Sequence, residues 1–199
     1  GPDAGVFLDR VYINAFAALA VGKARYGLML REDGIVMDDG TTSRLAEDHY
    51  FMTTTTAKAG PVMQHLEFCR QVLWPELDVQ LTSATDQWAQ FSIAGPRTRD
   101  LLQALVDPSE DMSNEGFPFM GVRTVKLRGG MEARLFRISF SGEMAFEIAV
   151  PARYGEALAR NLMIAGETFG VTPYGTEALG VMRIEKGHVA GPELNGTTT

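Results

Sequence analysis

Val122-Arg123-Thr124-Val125-Lys126-Leu127 and Met131-Glu132-Ala133-Arg134-Leu135-Phe136-Arg137-Ile138-Ser139-Phe140, joined by Arg128-Gly129-Gly130, decide the fold. Both arms alternate between apolar and polar residues, as strands with one buried face do, and glycines supply the positive φ of a tight turn. Strands joined by hairpins rather than only by helical crossovers build antiparallel sheets. The expected class is therefore α+β, with mostly antiparallel sheets and packed helices, rather than a doubly wound parallel fold.

Downstream of this hairpin, Ser141-Gly142-Glu143 turns into a further strand, Ala145 to Val150, followed by helical stretches over 153–169 and 176–186. Upstream, 77–81 and 87–94 read as strands. Gly95-Pro96 opens a helix over 97–106, with proline tolerated in its first turn. Trp74-Pro75-Glu76 marks a break, and before it lies a first half with a similar strand–helix rhythm. There 3–20 reads as a helix capped by Asp3, with Val6, Phe7, Val11, Ile13 and Phe16 on its apolar face. Strands over 24–30 and 35–38 flank the turn Arg31-Glu32-Asp33-Gly34, a strand over 49–54 follows, and 57–73 is helical. The expected division is 1–82 and 83–199.

The chain has 199 residues, 45% apolar and 22% charged, in the range of a soluble globular protein. A net charge of −7 argues against a nucleic-acid or anionic-membrane surface, since phosphates call for a basic patch. Cys69, the one cysteine, stands in a helical stretch and reads as a buried thiol in a reducing, cytoplasmic setting. No run approaches the ~18 apolar residues of a membrane span. Gly1-Pro2-Asp3-Ala4 at the start and Gly196-Thr197-Thr198-Thr199 at the end read as cuts through a longer polypeptide.

Much familiar chemistry is missing from the sequence. His49, His65 and His188 share no metal-ligand spacing with Cys69, and neither a phosphate loop nor a dinucleotide turn occurs. Two acidic features remain. Glu147 sits inside the apolar strand Ala145-Phe146-Glu147-Ile148-Ala149-Val150, where burying a carboxylate is costly unless donors meet it. It is a receiver either for two adjacent N–H groups of a ligand or for a structural arginine such as Arg137. Asp38-Asp39 ends a strand before Gly40, so one acid can face inward while the other is solvated; both can equally be turn formers. Tyr26, Phe140 and Phe146 can wall a flat ligand or fill the core. Arg183 and Glu185 can be an exposed helix pair or part of a site.

Taken in order, these stretches resemble the aminomethyltransferase family, the glycine cleavage T-protein and its relatives. The likeness is carried by Gly34-Ile35-Val36-Met37-Asp38-Asp39, by Ala94-Gly95-Pro96, by Arg137 to Glu143 leading into Phe146-Glu147, and by Arg183-Ile184-Glu185-Lys186-Gly187. Lys23 to Leu30 and Pro173 to Ala178 are similar to the branch formed by the α subunits of heterotetrameric sarcosine oxidases. That resemblance implies tetrahydrofolate as the ligand, with flavin and NAD held only by other parts of a parent enzyme and other subunits of it as partners. It implies Glu147 on the pterin, Asp39 as the acid or base of one-carbon transfer, and Tyr26, Phe140, Thr53 and Thr55 around the pocket. Capture of a methylene-imine as 5,10-methylenetetrahydrofolate is the activity it implies. A dimethylglycine or sarcosine dehydrogenase, and a non-catalytic folate-binding or docking module, are the alternatives. Leu179 stands where T-proteins usually carry arginine, which counts against a true T-protein.

Overall fold

Two antiparallel sheets organise the chain in the computed structural model, which describes residues 1–189, 193 and 194. The backbone divides into two units. One is Gly1–Ser83 with the described residues from Val189 on; the other is Ala84–His188.

In the first unit, helix α1 (Ala4–Val11) precedes a sheet of β1 (Lys23–Leu30), β2 (Val36–Ala46) and β3 (His49–Met52), ordered β1-β2-β3. Helix α2 (Ala59–Phe68) follows and runs on into a π-helical turn, Cys69–Leu73. Phe7, Val11, Phe16, Met29, Val62, Leu66 and Cys69 form the core, and burial pushes the Cys69 thiol above its ordinary range.

Helix α1 stops well short of the expected residue 20. Pairing with β1 wins over helix propensity there: Tyr12 bridges Met29, the Ile13 N–H donates to the Leu28 carbonyl at 3.1 Å, and Asn14 Oδ1 accepts the Leu28 N–H at 2.9 Å. Ile13 is consequently exposed rather than on an apolar helix face. Asp3 does not cap the helix with its side chain; its Oδ2 accepts the Asp78 N–H at 2.8 Å instead. The stretch 77–81 forms no strand. It is held irregularly, with Val79 buried and its carbonyl taking Arg70 Nε at 2.7 Å.

Strand β2 is far longer than 35–38 and occupies the centre of its sheet. Its polar run Asp38 to Ser43 hid it from a hydrophobic reading. Gly40 makes its continuation possible: a Cβ there would lie 2.0 Å from the Thr53 carbonyl oxygen, so only glycine permits the approach of that neighbouring backbone.

In the second unit, β4 (Trp88–Ala94), α3 (Thr98–Leu105), β5 (Val122–Lys126), β6 (Glu132–Phe136), β7 (Ala145–Pro151), α4 (Gly155–Gly166) and α5 (Thr176–Lys186) follow in order. The sheet order is β4-β7-β6-β5, antiparallel throughout. The deciding hairpin pairs Val122 with Phe136 and Lys126 with Glu132, and its glycines take φ of 98° and 86° at Gly129 and Gly130. β6 ends at Phe136 rather than Phe140, because Arg137 turns to Gly121 and Met120 through backbone hydrogen bonds outside the strand ladder.

One face of this sheet carries Ile93, Leu135, Phe146, Ile148 and Val150 against Leu101 and Leu102 of α3 and Leu158 and Leu162 of α4. Each such fully buried side chain contributes roughly 1.5–3 kcal/mol. Alternation then fixes the other face: Gln90, Ser92, Arg134, Phe136, Glu147 and Ala149 share it. Helix α5 ends at Gly187, in the left-handed region at φ 79°, with the His188 N–H closing back on the Arg183 carbonyl.

Candidate functional site

The antiparallel register sets the two acids of the first unit on opposite faces. Asp39 lies opposite Leu28, while Asp38 lies opposite Met29, which is fully buried. Asp38 is itself 3% exposed, and Asp39 is half-buried. The turn reading of the pair is overturned, since both residues are inside a long strand.

Asp39 is held by two hydroxyls. Tyr26 Oη donates to its Oδ2 at 2.8 Å, and Thr55 Oγ1 donates to its Oδ1 at 3.4 Å. Burial, reinforced by the hydrogen bond to Asp39, pushes the Tyr26 phenol upward, so it stays a donor at neutral pH. Thr53 shares the Tyr26 face: it lies beside Thr41, donating to the Thr41 carbonyl at 3.2 Å and meeting its hydroxyl at 3.0 Å. Tyr26, Asp39, Thr53 and Thr55 are thus brought onto one part of the first unit.

Asp38 meets the same loop from the core side. Its Oδ1 accepts the Thr55 N–H at 3.3 Å, while its buried Oδ2 finds no partner among the described residues. Burial pushes this carboxyl above the usual range and the neighbouring Asp39 adds to it, against a smaller downward pull from Thr55.

In the second unit Glu147 stands on β7 between Ser92 of β4 and Phe136 of β6. Burial raises its pKa, and a hydrogen bond from Gln90 Nε2 to its Oε2 partly offsets that. No ion pair to it occurs among the described residues. Arg137 donates to the Phe117 carbonyl at 3.0 Å instead, so the structural-arginine reading of Glu147 is not what the fold uses. Phe140 lies beyond the end of β6 with its ring edge-on to His188, centroids 4.9 Å apart. Phe146 points to the core face and is fully buried, stacked on Phe117, so it walls no ligand.

Gln90 and Asp38 carry more weight than the sequence reading gave them. The alternation Trp88-Ala89-Gln90-Phe91-Ser92-Ile93 does place Gln90 on a polar face, but its strand partner is set by topology. Leu179 lines a cleft of about 830 Å³ beside β4, with Phe91, Phe169 and Tyr174 among its walls. Among the described residues no cluster of His, Cys, Asp and Glu could hold a metal ion, and no helix is long and apolar enough to cross a membrane.

The mixed helices and antiparallel sheets follow the fold of an aminomethyltransferase. A crystal structure of the glycine cleavage system aminomethyltransferase T from Bartonella henselae superposes with a TM-score of 0.81 at 24% identity, over 97% of this chain and 48% of that one. The chain belongs to the GCVT N-terminal domain family, whose model matches residues 1–199. It is 63% identical, over 99% of its length, to the sarcosine oxidase subunit alpha of Rhizobium meliloti (strain 1021). It is 30% identical to the aminomethyltransferase of Chloroherpeton thalassium (strain ATCC 35110 / GB-78) over its whole length. The chain spans 20% of the first relative and 52% of the second.

Proposed function

We propose that this chain binds tetrahydrofolate and serves as the site where a methylene-imine, formed by oxidation of sarcosine elsewhere in a larger flavin- and NAD-containing enzyme, is captured as 5,10-methylenetetrahydrofolate. The other subunits of that enzyme would be its partners. The observation that carries the reading is Glu147: a half-buried strand carboxylate that, among the described residues, has no ion pair and takes an amide donor from Gln90 on one oxygen.

The donor chemistry fits. A pterin offers an exocyclic amino group beside a ring N–H, and a carboxylate accepts both in parallel. Bound folate would supply a nucleophilic nitrogen for the one-carbon unit. Asp39, held by Tyr26 and Thr55, would accept the proton released when that nitrogen bonds the methylene carbon. It would return the proton to the glycine nitrogen as the C–N bond from that nitrogen to the methylene carbon breaks and the second folate nitrogen closes the ring, losing its own proton to solvent. Tyr26, Thr53 and Thr55 are the further folate-contacting residues that we assign in the first unit, and Phe140 the one in the second. Leu179 provides no cationic contact, which favours the sarcosine oxidase branch over a T-protein acting on a lipoyl-borne substrate.

Calorimetric titration with 5-formyltetrahydrofolate tests this. The parent should bind saturably, and Glu147→Ala should lose ~2 kcal/mol, as removal of a charge-assisted pair does. Equal binding by the two proteins would overturn the assignment.

A further inference from the structure

Asp38 is a buried acid of the first unit that the proposed chemistry leaves unused, and its surroundings are unusual for a charged group. Met29 lies directly across from it, and Tyr12, 5% exposed, and Thr42, fully buried, belong to the same interior. No arginine, lysine or histidine pairs with it among the described residues. One oxygen takes the Thr55 N–H, while the other is buried without a donor, so the hydrogen bonding from Thr55 only partly offsets the cost of burying a charge there. The titratable groups around it are Asp39 next in sequence, Tyr12 and Tyr26, and both phenols are held neutral by burial.

Thr55 connects the two acids. Its backbone N–H is fixed by Asp38 Oδ1 at 3.3 Å, and its hydroxyl reaches Asp39 Oδ1 at 3.4 Å. The segment is also pressed close by Gly40, where the Thr53 carbonyl approaches too near for any Cβ. A group that anchors the Thr55 backbone therefore sets where its hydroxyl points.

We propose that Asp38 is a positioning residue that works as a neutral acid: through its bond to the Thr55 backbone it aims the Thr55 hydroxyl at Asp39, leaving Asp39 as the single charge of the pair. This rests on the reading of Asp39 as the proton acceptor of one-carbon transfer. Neutrality serves two ends. It removes the repulsion that two adjacent carboxylates would impose, and it lets an interior side chain accept a hydrogen bond without an unpaired buried charge.

The test compares Asp38→Asn, Asp38→Ala, Thr55→Val and Asp39→Asn in the full-length protein. Formation of methylenetetrahydrofolate from a methylene-imine preformed with formaldehyde and glycine is read beside calorimetric affinity for 5-formyltetrahydrofolate. Asp38→Ala should lower transfer roughly tenfold, the effect of about one hydrogen bond to a charged group, with folate affinity unchanged within about twofold; Thr55→Val should lower transfer at least as much. Asp38→Asn, which keeps the acceptor oxygen, should rescue most of what alanine loses. In the parent, the Asp38 carboxyl carbon should titrate by NMR above the ordinary aspartate range. The proposal is overturned if Asp38→Asn is as impaired as Asp38→Ala, if the folate affinity of Asp38→Ala falls in step with its transfer, or if Asp38 titrates as an ordinary aspartate. Should Asp38→Ala fail to fold, parent-like transfer by Asp38→Asn and the titration of Asp38 in the parent carry the test. Full transfer by Asp39→Asn would instead remove the underlying reading of Asp39, an outcome separable from the others.

Discussion

The Tyr26 hydroxyl donates to Asp39 Oδ2 at 2.8 Å although the residue directly across the ladder from Tyr26 is Thr41. The contact is diagonal, within the reach of a long aromatic side chain on a twisted antiparallel pair. It crosses between β1 and β2 on the face opposite Met29 and Asp38, so it adds little to the core and much to the orientation of one carboxylate.

Tyr26→Phe should therefore leave the fold intact and weaken one-carbon transfer. A hydrogen bond to a charged group is worth ~1.5–3 kcal/mol, a factor of roughly 10 to 100. Transfer from a preformed methylene-imine should drop by about the lower of these, because Thr55 still holds the other oxygen. Unaltered transfer would mean that the phenol does not hold Asp39 for chemistry.

Asp38 gives a prediction about stability and pH. Its folded-state pKa is raised, first by burial and then by Asp39. Below the ordinary aspartate range it is protonated in both folded and unfolded chains and costs nothing. As pH rises through that range and on through the raised value, the unfolded chain ionises more readily, and stability is lost. Asp38→Asn removes this titration. Denaturant unfolding should show the variant gaining on the parent as pH increases from about 3 to 7, with little difference at the acid end. A constant offset would show that Asp38 ionises alike in both states.

Gly40→Ala should destabilise the first unit. The added Cβ would stand 2.0 Å from the Thr53 oxygen and 2.9 Å from its carbonyl carbon, both backbone atoms that cannot swing aside as a side chain does. Overpacking of this kind costs about 1–3 kcal/mol. The Thr53–Thr55 segment should shift with it, so folate affinity should fall alongside the urea midpoint. Parent-like stability would show that this backbone gives way freely.

These residues also show where the sequence could be read and where it could not. The hairpin around Gly129-Gly130 was legible because period-2 alternation and positive-φ glycines agree locally, and the strand of Glu147 because its apolar run is interrupted once. The centre of the first sheet was not. Asp38 to Ser43 is polar on both faces: one buries Asp38 and Thr42, and the other buries Ser43. The helix expected through residue 20 failed for another reason: the pairing of Tyr12 and Ile13 with β1 is tertiary and leaves no mark in local periodicity. Of the proposed site, the acids were visible as anomalies. Their partners Gln90 and Tyr26 come from other strands, so their contacts follow from register rather than from composition.

Glu147 and Gln90 give the last prediction. Burial raises the Glu147 pKa, and the Gln90 amide holds it partly down by donating to the ionised form. If the pterin is read by an ionised carboxylate, affinity for 5-formyltetrahydrofolate is full above the raised value and declines as pH falls through it. Gln90→Leu removes the offsetting donor, so the decline should move to higher pH while affinity well above it changes little. Glu147→Gln should bind weakly at every pH, since an amide offers one acceptor and adds a donor that faces the pterin's own. The same substitution should raise the thermal midpoint at neutral pH, because the folded chain no longer holds a carboxylate that burial disfavours, and this gain should fade toward acid. Calorimetry across pH beside thermal unfolding reads both effects. A binding profile that Gln90→Leu leaves in place would separate Gln90 from the site and return it to the surface of β4.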